Sequence, residues 1–345
     1  MKGYFERQAA LHPAMTPRDA LKMAYQAAFG AEHLAGDREA VRRYLHEELT
    51  ACEAAPAEPL TESISPDLCR ANLRAWKAAG LPEEWLLRMF LDTCQPRPDG
   101  KARFEVLLAD LDALTQAGRL PFSAQDWQGE KQAYLAQGLH AVHHSDAYRE
   151  QEKPAYRLIL SRYGRLLPLL TALDLSKRQI IALDGRCASG KTTLAADLAR
   201  ITGAGVVHMD DFFLPPALRA PERLTQPGGN VHYERFITDV LPGLRSGQAF
   251  AYPVFDCSVM QINGARSVPA ASLVIVEGAY SCHPALGDYM TLRAFSDVDP
   301  EIQRRRILAR NGEAGLQNFE TRWIPMEERY FEACRIREQA QVVLA

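Results

Sequence analysis

Residues 179–193 read QIIALDGRCASGKTT, an apolar run that passes into two glycines, a lysine and two threonines. QIIAL is typical of a buried strand, and the LAADLAR that follows has the apolar spacing of a helix. Between them, Gly185, Gly190, Lys191 and Thr192 match the pattern G-x-x-x-x-G-K-[ST], which is informative when a strand precedes it and a helix follows. The alternative is a glycine-rich turn that matches the pattern by chance, but such a turn would not require a strand before it and a helix after it. The stretch therefore predicts a P-loop at the end of a buried strand.

A loop of this kind binds phosphate groups. Its glycines let the backbone curl so that successive N–H groups point inward, and the N-terminus of the following helix adds positive potential. Lys191 is expected to reach the β- and γ-phosphates of ATP, and the Thr192 hydroxyl is expected to coordinate Mg²⁺. The predicted nucleotide-binding residues are Gly185, Ala188, Ser189, Gly190, Lys191, Thr192 and Thr193.

The sequence changes character near residue 173. Before it, PRDALKMAYQAAFGAEHL, DREAVRRYLHEEL, PEEWLLRMFLDTC and ARFEVLLADLDALTQAG space apolar residues three and four apart, which predicts helices. After it, the short apolar runs QIIALD, GVVHMD, SLVIVEG, TLRAFSDV and AQVVLA alternate with helix-like stretches, which indicates a parallel sheet covered on both faces. We predict an all-α domain over residues 1–172, with a loop at 57–66, and a three-layer α/β P-loop NTPase domain over residues 173–345.

Composition narrows the class of protein. A chain of 345 residues exceeds the usual size of one domain, and its 47% apolar residues suit a buried core. No run approaches the roughly 18 apolar residues of a membrane span. The N-terminus, MKGYFERQAALHP, has no secretory signal, and seven cysteines without a C-x-x-C pair suggest reduced thiols. We expect a cytoplasmic protein that does not bind a membrane, and a net charge of −3 gives no reason to expect nucleic acid.

Three carboxylates follow predicted strands. Asp210 and Asp211 stand in HMDDFF, after the second strand of the α/β half, and Glu277 ends the strand SLVIVE. Ligands of parallel sheets bind at this carboxyl edge, where an Asp can accept the proton of a substrate hydroxyl and an acid can hold Mg²⁺. We predict Asp210 as the base, and Thr192, Glu277 and Asp210 as metal ligands. A capping role for the two Asp residues and an ion-pair role for Glu277 stay open.

Arginines are concentrated in EIQRRRILARNG, a predicted helix after the fourth strand. Arg306 and Arg310 are four residues apart and share one face, whereas Arg304 and Arg305 are the expected surface members. Guanidinium groups that close over a triphosphate stabilise the charge of the transferring phosphoryl group. We predict a catalytic role for Arg306 and Arg310; a solvated basic face is the alternative.

These motifs together resemble the uridine kinase and phosphoribulokinase group of P-loop kinases, which includes bacterial pantothenate kinase. The resemblance spans about residues 178–345 and rests on GRCASGKTT, MDDFF, NVHYERFITDVLPGLRSGQAFAYPVFD, VIVEG, the arginine helix and AQVVLA, in that order. It implies that Asp210 is the catalytic carboxylate, that Glu277 is associated with magnesium, and that Arg306 and Arg310 belong to a lid. It also implies an acceptor pocket, in which Phe213 takes the aromatic position and Phe255 and Asp256 match a Tyr-Asp element.

The chain departs from uridine kinases in this pocket. A histidine that reads the pyrimidine is replaced by CSVMQ with Met260, and a thioether cannot supply the same hydrogen bonds. Asn230, Val231 and His232 stand where an Asp would contact the ribose, so a pyrimidine nucleoside acceptor is not implied. We predict an aromatic cleft that includes Tyr252 and in which Phe213, rather than Phe212, faces the substrate. The predicted substrate-binding residues are Asp211, Phe213, His232, Tyr233, Phe255 and Asp256.

The first half of the chain carries no motif of comparable specificity. HPAMTPRDALKMAYQAAFGAEHL resembles the N-terminal segment of uridine-kinase-like bacterial proteins, which implies no mechanism. His140, His143 and His144, with Glu32 and His33, could form a metal site, but a structural role is the alternative because no ligand spacing is specific. We expect this half either to cover the acceptor site or to mediate assembly, for example as a homodimer.

Taken together, these patterns predict an ATP- and Mg²⁺-dependent kinase that transfers the γ-phosphate to a hydroxyl of a nucleoside-like or other small metabolite. The alternative is a nucleotide-dependent switch or binding module, in which ATP occupancy controls how the helical half meets a partner. The large additional domain and the missing pyrimidine-reading histidine motivate that alternative.

Overall fold

The computed structural model describes residues 1–31 and 36–344, which divide into two compact units, Met1–Arg165 and Leu166–Ala345. The predicted boundary after residue 172 falls later than this division. The difference is the short helix Leu167–Thr171, whose Leu167, Leu169 and Leu170 are buried. This helix packs against the last strand of the second unit, so the chain enters that unit before the first strand of its sheet.

The first unit contains the helices that its periodicity predicts. Its helices are α1 Lys2–Leu11, α2 Pro17–Phe29, α3 Arg38–Ala51, α4 Leu73–Ala78, α5 Glu83–Thr93, α6 Gly100–Gln116, α7 Ala124–Ala136, α8 Asp146–Glu152 and α9 Ser161–Gly164. The start of α2 is fixed by a capping box, in which Thr16 and Asp19 exchange side-chain and backbone hydrogen bonds. The predicted helix over PRDALKMAYQAAFGAEHL is confirmed as far as Phe29, and its last residues lie outside the described part of the chain.

A small antiparallel sheet accompanies these helices, and the helical periodicity did not predict it. Its strands are β1 Thr61–Ser63, β2 Leu68–Asn72 and β3 Tyr156–Leu160, in the order β1-β2-β3. Strand β1 lies within the predicted loop at residues 57–66. Strand β2 has only five residues, and the first four, including Arg70, are all buried, so it lacks the exposed face and the long alternation that reveal a strand in a sequence.

The second unit is built on a five-stranded parallel sheet. Its strands are β4 Gln179–Gly185, β5 Gly205–His208, β8 Leu273–Glu277, β9 Leu292–Ser296 and β10 Val342–Leu344. They lie in the order β10-β9-β4-β8-β5 with helices beside them. A separate antiparallel ribbon is formed by β6 Phe250–Asp256 and β7 Gln261–Val268. This order, with the loop after the central strand β4, is the α/β architecture of a P-loop NTPase domain, as predicted.

The helices of this unit connect the strands. They are α10 Leu167–Thr171, α11 Lys191–Thr202, α12 Pro221–Leu224, α13 Tyr233–Asp239, α14 Leu241–Ser246, α15 Pro300–Asn318 and α16 Ile324–Ala333. Gly312 interrupts α15 with a φ of 68°, and a π-helical turn over Phe319–Trp323 joins α15 to α16. Among the described residues, no helix is both long and apolar enough to cross a membrane.

The parallel sheet brings three chain segments to one edge, because parallel strands end on the same side. The P-loop follows β4, the short 3₁₀ turn Met209–Phe212 follows β5, and Glu277 ends β8. Gly185 has a φ of 132°, and a Cβ atom at this position would lie 2.1 Å from the carbonyl oxygen of Ser296 in the neighbouring strand β9. The first glycine of the motif is therefore required by close packing of the sheet as well as by the turn.

Candidate functional site

A cavity of about 620 Å³ opens at this edge of the sheet. Ten of the residues predicted for nucleotide, metal, lid or acceptor binding line it. They are Ala188, Gly190, Lys191, Thr192, Thr193, Asp210, Phe213, Glu277, Arg306 and Arg310. The fold therefore gathers most of the predicted chemistry at one place.

The P-loop places the Lys191 ammonium at the cavity wall. Lys191 is buried, and its Nζ donates to the carbonyl oxygens of Gly185 at 2.7 Å and Arg186 at 2.8 Å. An ammonium has three N–H donors, so one remains for a ligand. Helix α11 begins at Lys191, and the N–H groups of a first helical turn lack partners within the helix. Both features suit an anionic ligand such as a phosphate group.

Three oxygen-bearing side chains meet beside the loop. The Thr192 hydroxyl lies 3.3 Å from each carboxylate oxygen of Glu277, and Nδ1 of His208 lies 2.6 Å from Oε1 of Glu277. Asp210 lines the same cavity and makes no hydrogen bond to the described residues. A hydroxyl and two carboxylates are the ligands that Mg²⁺ prefers, so the residues present fit this ion.

The environment of Asp210 favours its protonated form. The carboxylate is accessible from the cavity, yet protein atoms surround it on several sides. The resulting loss of hydration, followed by the negative charge of Glu277, raises its pKa above the ordinary value for Asp, and Lys191 opposes this shift. A divalent cation or a cationic group would relieve the repulsion between the two carboxylates.

The arginine helix reaches the loop as predicted. Nη1 of Arg306 donates to the carbonyl oxygen of Ala188 at 2.9 Å, and Arg310 lines the cavity with its guanidinium 5.7 Å from the ring of Phe319. Arg304 instead pairs with Glu320, and Arg305 is exposed. The helical spacing of four residues was enough to distinguish Arg306 and Arg310, which reach the cavity, from the surface residues Arg304 and Arg305.

Helix α16 binds the P-loop through Glu327 and Glu328, two residues that were not predicted from the sequence. Arg186 forms two bonds to Glu328, at 2.7 and 3.0 Å, and also pairs with Asp297. The backbone N–H of Cys187 donates to Oε2 of Glu327 at 2.9 Å. Glu327 also lines the cavity, and burial raises its pKa. The only signal in the sequence was the adjacent Glu pair in MEERYFEA, which is ordinary for an amphipathic helix.

The far wall of the cavity differs from the predicted acceptor pocket. Phe213 lines it and Phe212 is buried, which is the expected arrangement, but Phe213 faces Trp323 at a ring distance of 6.1 Å. Asn230 and Tyr280 complete this wall. The buried Asn230 lies beside the Tyr280 hydroxyl, but neither amide atom of Asn230 has a hydrogen-bond partner in the described part of the chain.

Two predicted aromatic side chains belong to the core instead. Tyr252 and Phe255 are buried on the ribbon strand β6, and neither lines the cavity. The Tyr252 ring packs 5.3 Å from Phe212, and its hydroxyl donates to Asp211. Asp211 is buried and accepts a second bond from Nε of Arg266 at 2.7 Å. Asp211 thus joins the turn after β5 to the ribbon and, contrary to prediction, does not face the cavity.

The other predicted acceptor residues also lie outside the cavity. His232 precedes α13, and its backbone N–H donates to the carbonyl oxygen of Phe212 at 2.7 Å. Tyr233 stacks between Arg223, at 3.9 Å from its ring centre, and His283, at 5.2 Å. Asp256 accepts hydrogen bonds from the backbone and hydroxyl of Ser258 in the turn of the ribbon. None of these three residues lines the cavity, so the structure does not bring them to the site.

The predicted histidine cluster of the first unit is not assembled as a metal site. His144 is buried and bound to Asp19, and His140 contacts the carbonyl oxygen of Gly138. No group of three or more His, Cys, Asp or Glu side chains that could hold a metal ion occurs among the residues that the structure describes. Glu32 and His33 lie outside the described residues.

Comparison with solved structures finds similarity over about half of the chain. A protein described as a possible uridine kinase from Bacillus stearothermophilus is 21% identical, with a TM-score of 0.42, over 54% of this chain and 100% of that one. A candidate fructose transport system kinase from Silicibacter sp. TM1040 is 25% identical, with a TM-score of 0.43, over 53% of this chain and 98% of that one. No family model and no curated protein matches the chain.

Proposed function

We propose that the unit Leu166–Ala345 is an ATP- and Mg²⁺-dependent phosphotransferase that acts on a hydroxyl group of a small metabolite. The observation that carries the proposal is the placement of Asp210 on the same cavity as Lys191 and the Thr192–Glu277 pair. A P-loop alone also serves GTPases and motor ATPases. The Asp210 carboxylate, which makes no hydrogen bond to the described residues, adds beside that loop a group that can take a proton from a hydroxyl.

Residues of the loop and the lid hold the nucleotide in this proposal. The P-loop amides and the Lys191 ammonium bind the phosphates, and the guanidinium groups of Arg306 and Arg310 reach them from α15. The ligands of Mg²⁺ are the Thr192 hydroxyl and the carboxylates of Glu277 and Asp210. When bound, this ion neutralises the charge of the β- and γ-phosphates.

Asp210 acts on the acceptor. Its carboxylate accepts the proton of the acceptor hydroxyl, whose oxygen then attacks the γ-phosphorus atom of ATP. The reaction yields ADP and a phosphorylated metabolite.

The acceptor lies against the wall formed by Phe213, Trp323 and Asn230. A ring or sugar face packs against the aromatic pair, and the unpartnered amide of Asn230 binds a polar group of the acceptor. This wall suits a nucleoside-like or other small alcohol. The hydrogen-bonding histidine of uridine kinases is replaced by Met260, which also lines the cavity.

One observation favours a second candidate function. Glu327 and Glu328 tie α16 directly to the backbone and side chains of the P-loop, so nucleotide binding could change the position of α16. In that case the protein would be a nucleotide-dependent switch. It would hydrolyse ATP slowly, and no metabolite would change the rate.

A screen for metabolite-dependent ADP formation tests the proposal. Purified protein is incubated with Mg-ATP and a panel of nucleosides, sugars and vitamins. Lys191→Ala should lower the rate roughly a hundredfold or more with little change in melting temperature, because it removes charge stabilisation of the transition state. Lys177→Ala, which removes an exposed lysine of the same unit, is the matched control. Full activity of Lys191→Ala would refute the assignment, and metabolite-independent hydrolysis would favour the switch.

A further inference from the structure

The first unit has a cavity of its own, of about 260 Å³, between α2, α5 and β3. Its lining includes the polar side chains of Lys22, Gln26, His144 and Tyr156 and the apolar ring of Phe90. No residue of this cavity has a role in the proposed phosphotransfer. A mixed wall of this kind is typical of small-molecule sites.

Three of its side chains, Lys22, Tyr156 and His144, form a continuous hydrogen-bonded chain with the buried Asp19. Oδ1 of Asp19 lies 2.9 Å from Nδ1 of His144, and Nε2 of His144 lies 3.1 Å from the hydroxyl of Tyr156. The Nζ of Lys22 donates to the same hydroxyl. Burial lowers the pKa of His144 to about 4, so the ring is neutral at pH 7. With its Nδ1–H donated to the Asp19 carboxylate, the Nε2 atom can accept the Tyr156 proton, for which Oε1 of Gln26 at 3.1 Å is the other acceptor.

The positive charge of Lys22 has no carboxylate in ion-pair contact among the described residues. Lys22 is 8% exposed, and within the described part of the chain the one hydrogen bond of its ammonium goes to Tyr156. A second buried cation, Arg70, lies 4.4 Å from the centre of the Tyr156 ring. Buried lysines are rare unless paired, because loss of hydration disfavours the ammonium form. A leucine or methionine would fill the same space without this cost.

Lys22 and Tyr156 form a pair that releases a proton easily. Burial lowers the pKa of Lys22, the interaction with Tyr156 opposes this shift, and the nearby Arg70 adds to it. Burial alone would raise the pKa of Tyr156, but Arg70 and Lys22 outweigh it and lower the value. Asp19 opposes the shift of Lys22 and is itself bonded to His144. When two such groups share protons, the pair rather than either residue loses the first one.

We propose that Lys22 is a reactive amine that condenses with the carbonyl group of a small aldehyde or ketone bound in this cavity, with Tyr156 as the proton donor and acceptor. The Nζ lone pair attacks the carbonyl carbon, and the carbonyl oxygen takes the proton of the Tyr156 hydroxyl. The nitrogen then returns a proton to Tyr156, and loss of water gives an imine. No oxidant or further reactant is needed.

The hydrogen-bonded side chains beside the cavity support a chemical role for Lys22 and Tyr156 over a purely structural one. Asp19 has a structural task, because it caps α2 and accepts from the backbone and hydroxyl of Ser145. That task does not require an amine at position 22 or a hydroxyl at position 156. An amine that is desolvated and close to another cation is the arrangement that activates a lysine as a nucleophile.

Reductive trapping tests the proposal with the full-length protein. Glyoxylate and sodium cyanoborohydride are added at pH 7. Peptide mass spectrometry then identifies each carboxymethylated lysine and measures the rate of its modification. Exposed amines are almost fully protonated at pH 7, so we expect Lys22 to react at least about tenfold faster than the exposed Lys101 and Lys153. A Lys22 rate equal to or below theirs would overturn the proposal.

Tyr156→Phe separates a chemical from a structural role. The variant keeps the ring that packs beside Arg70 but removes the hydroxyl, so trapping at Lys22 should slow while trapping at Lys101 and Lys153 stays unchanged. His144→Gln, which leaves the Tyr156 hydroxyl in place, is the second variant if the first does not fold. An unchanged Lys22 rate in a folded variant would contradict the role of the Tyr156 chain. Phosphotransfer by the second unit is not expected to change in either variant.

Discussion

At the scale of single residues, the P-loop and Asp210 could be predicted because their positions follow from backbone rules. The motif from Gly185 to Thr192 needs a strand before it and a helix after it, and both are present. Residues that directly follow parallel strands must meet at one edge of the sheet, which places Asp210 and Glu277 together. Asp211 could not be separated from Asp210 in this way, because its partner Arg266 lies 55 residues away in the sequence.

The raised pKa of Asp210 predicts a pH dependence. An Asp that serves as base must be ionised, so activity should fall as the pH drops through its pKa. In the protein without bound Mg²⁺, loss of hydration and the charge of Glu277 raise that pKa above the ordinary value for Asp, which is about 3.9. The kcat/KM for Mg-ATP reports the free enzyme, so its acid limb should lie at a pH above that value. Measurement of kcat/KM for Mg-ATP from about pH 4 to 8 at saturating acceptor checks this. A kcat/KM that stays flat down to about pH 4 would speak against Asp210 as base.

At the scale of elements, strands and helices with clear flanks were predicted and the connections between them were not. The helix over EIQRRRILAR was recognisable, and its NG end coincides with the break at Gly312. The approach of α16 to the P-loop was not, because it depends on the π-helical turn Phe319–Trp323, which has no sequence signature. The same turn brings Trp323 to the cavity in place of the predicted Tyr252 and Phe255.

The link between Asp211 and the ribbon predicts a stability effect. Arg266→Ala leaves a buried carboxylate with one fewer partner, which should lower the free energy of unfolding by about 1–3 kcal/mol. The measurement is urea unfolding of the variant and of Arg293→Ala. Arg293 pairs with an exposed Asp288 and should lose less than about 1 kcal/mol. Equal effects would show that Asp211 does not depend on Arg266.

At the scale of the whole molecule, the sequence predicted two units but misjudged the composition of the first. Its three-stranded sheet pairs β2 with β3, whose residues Ala71 and Arg157 are register partners across 86 positions of the chain. Pairing at that separation leaves no local pattern, and short buried strands look like pieces of helices. The hydrogen bonds that join Lys22, Tyr156 and His144 could not be predicted for the same reason, because three separate segments of the sequence supply these side chains.

The central claim is that Asp210 activates an acceptor hydroxyl for transfer of the γ-phosphoryl group. Single-turnover transfer from γ-labelled ATP to the best acceptor of the panel tests it most directly. Asp210→Asn should slow transfer roughly a hundredfold or more while the protein still binds ATP, because a neutral amide cannot accept the proton. Asp288→Asn, an exposed change in the same unit, should transfer at the rate of the unmodified protein. Transfer by Asp210→Asn at that same rate would contradict the account.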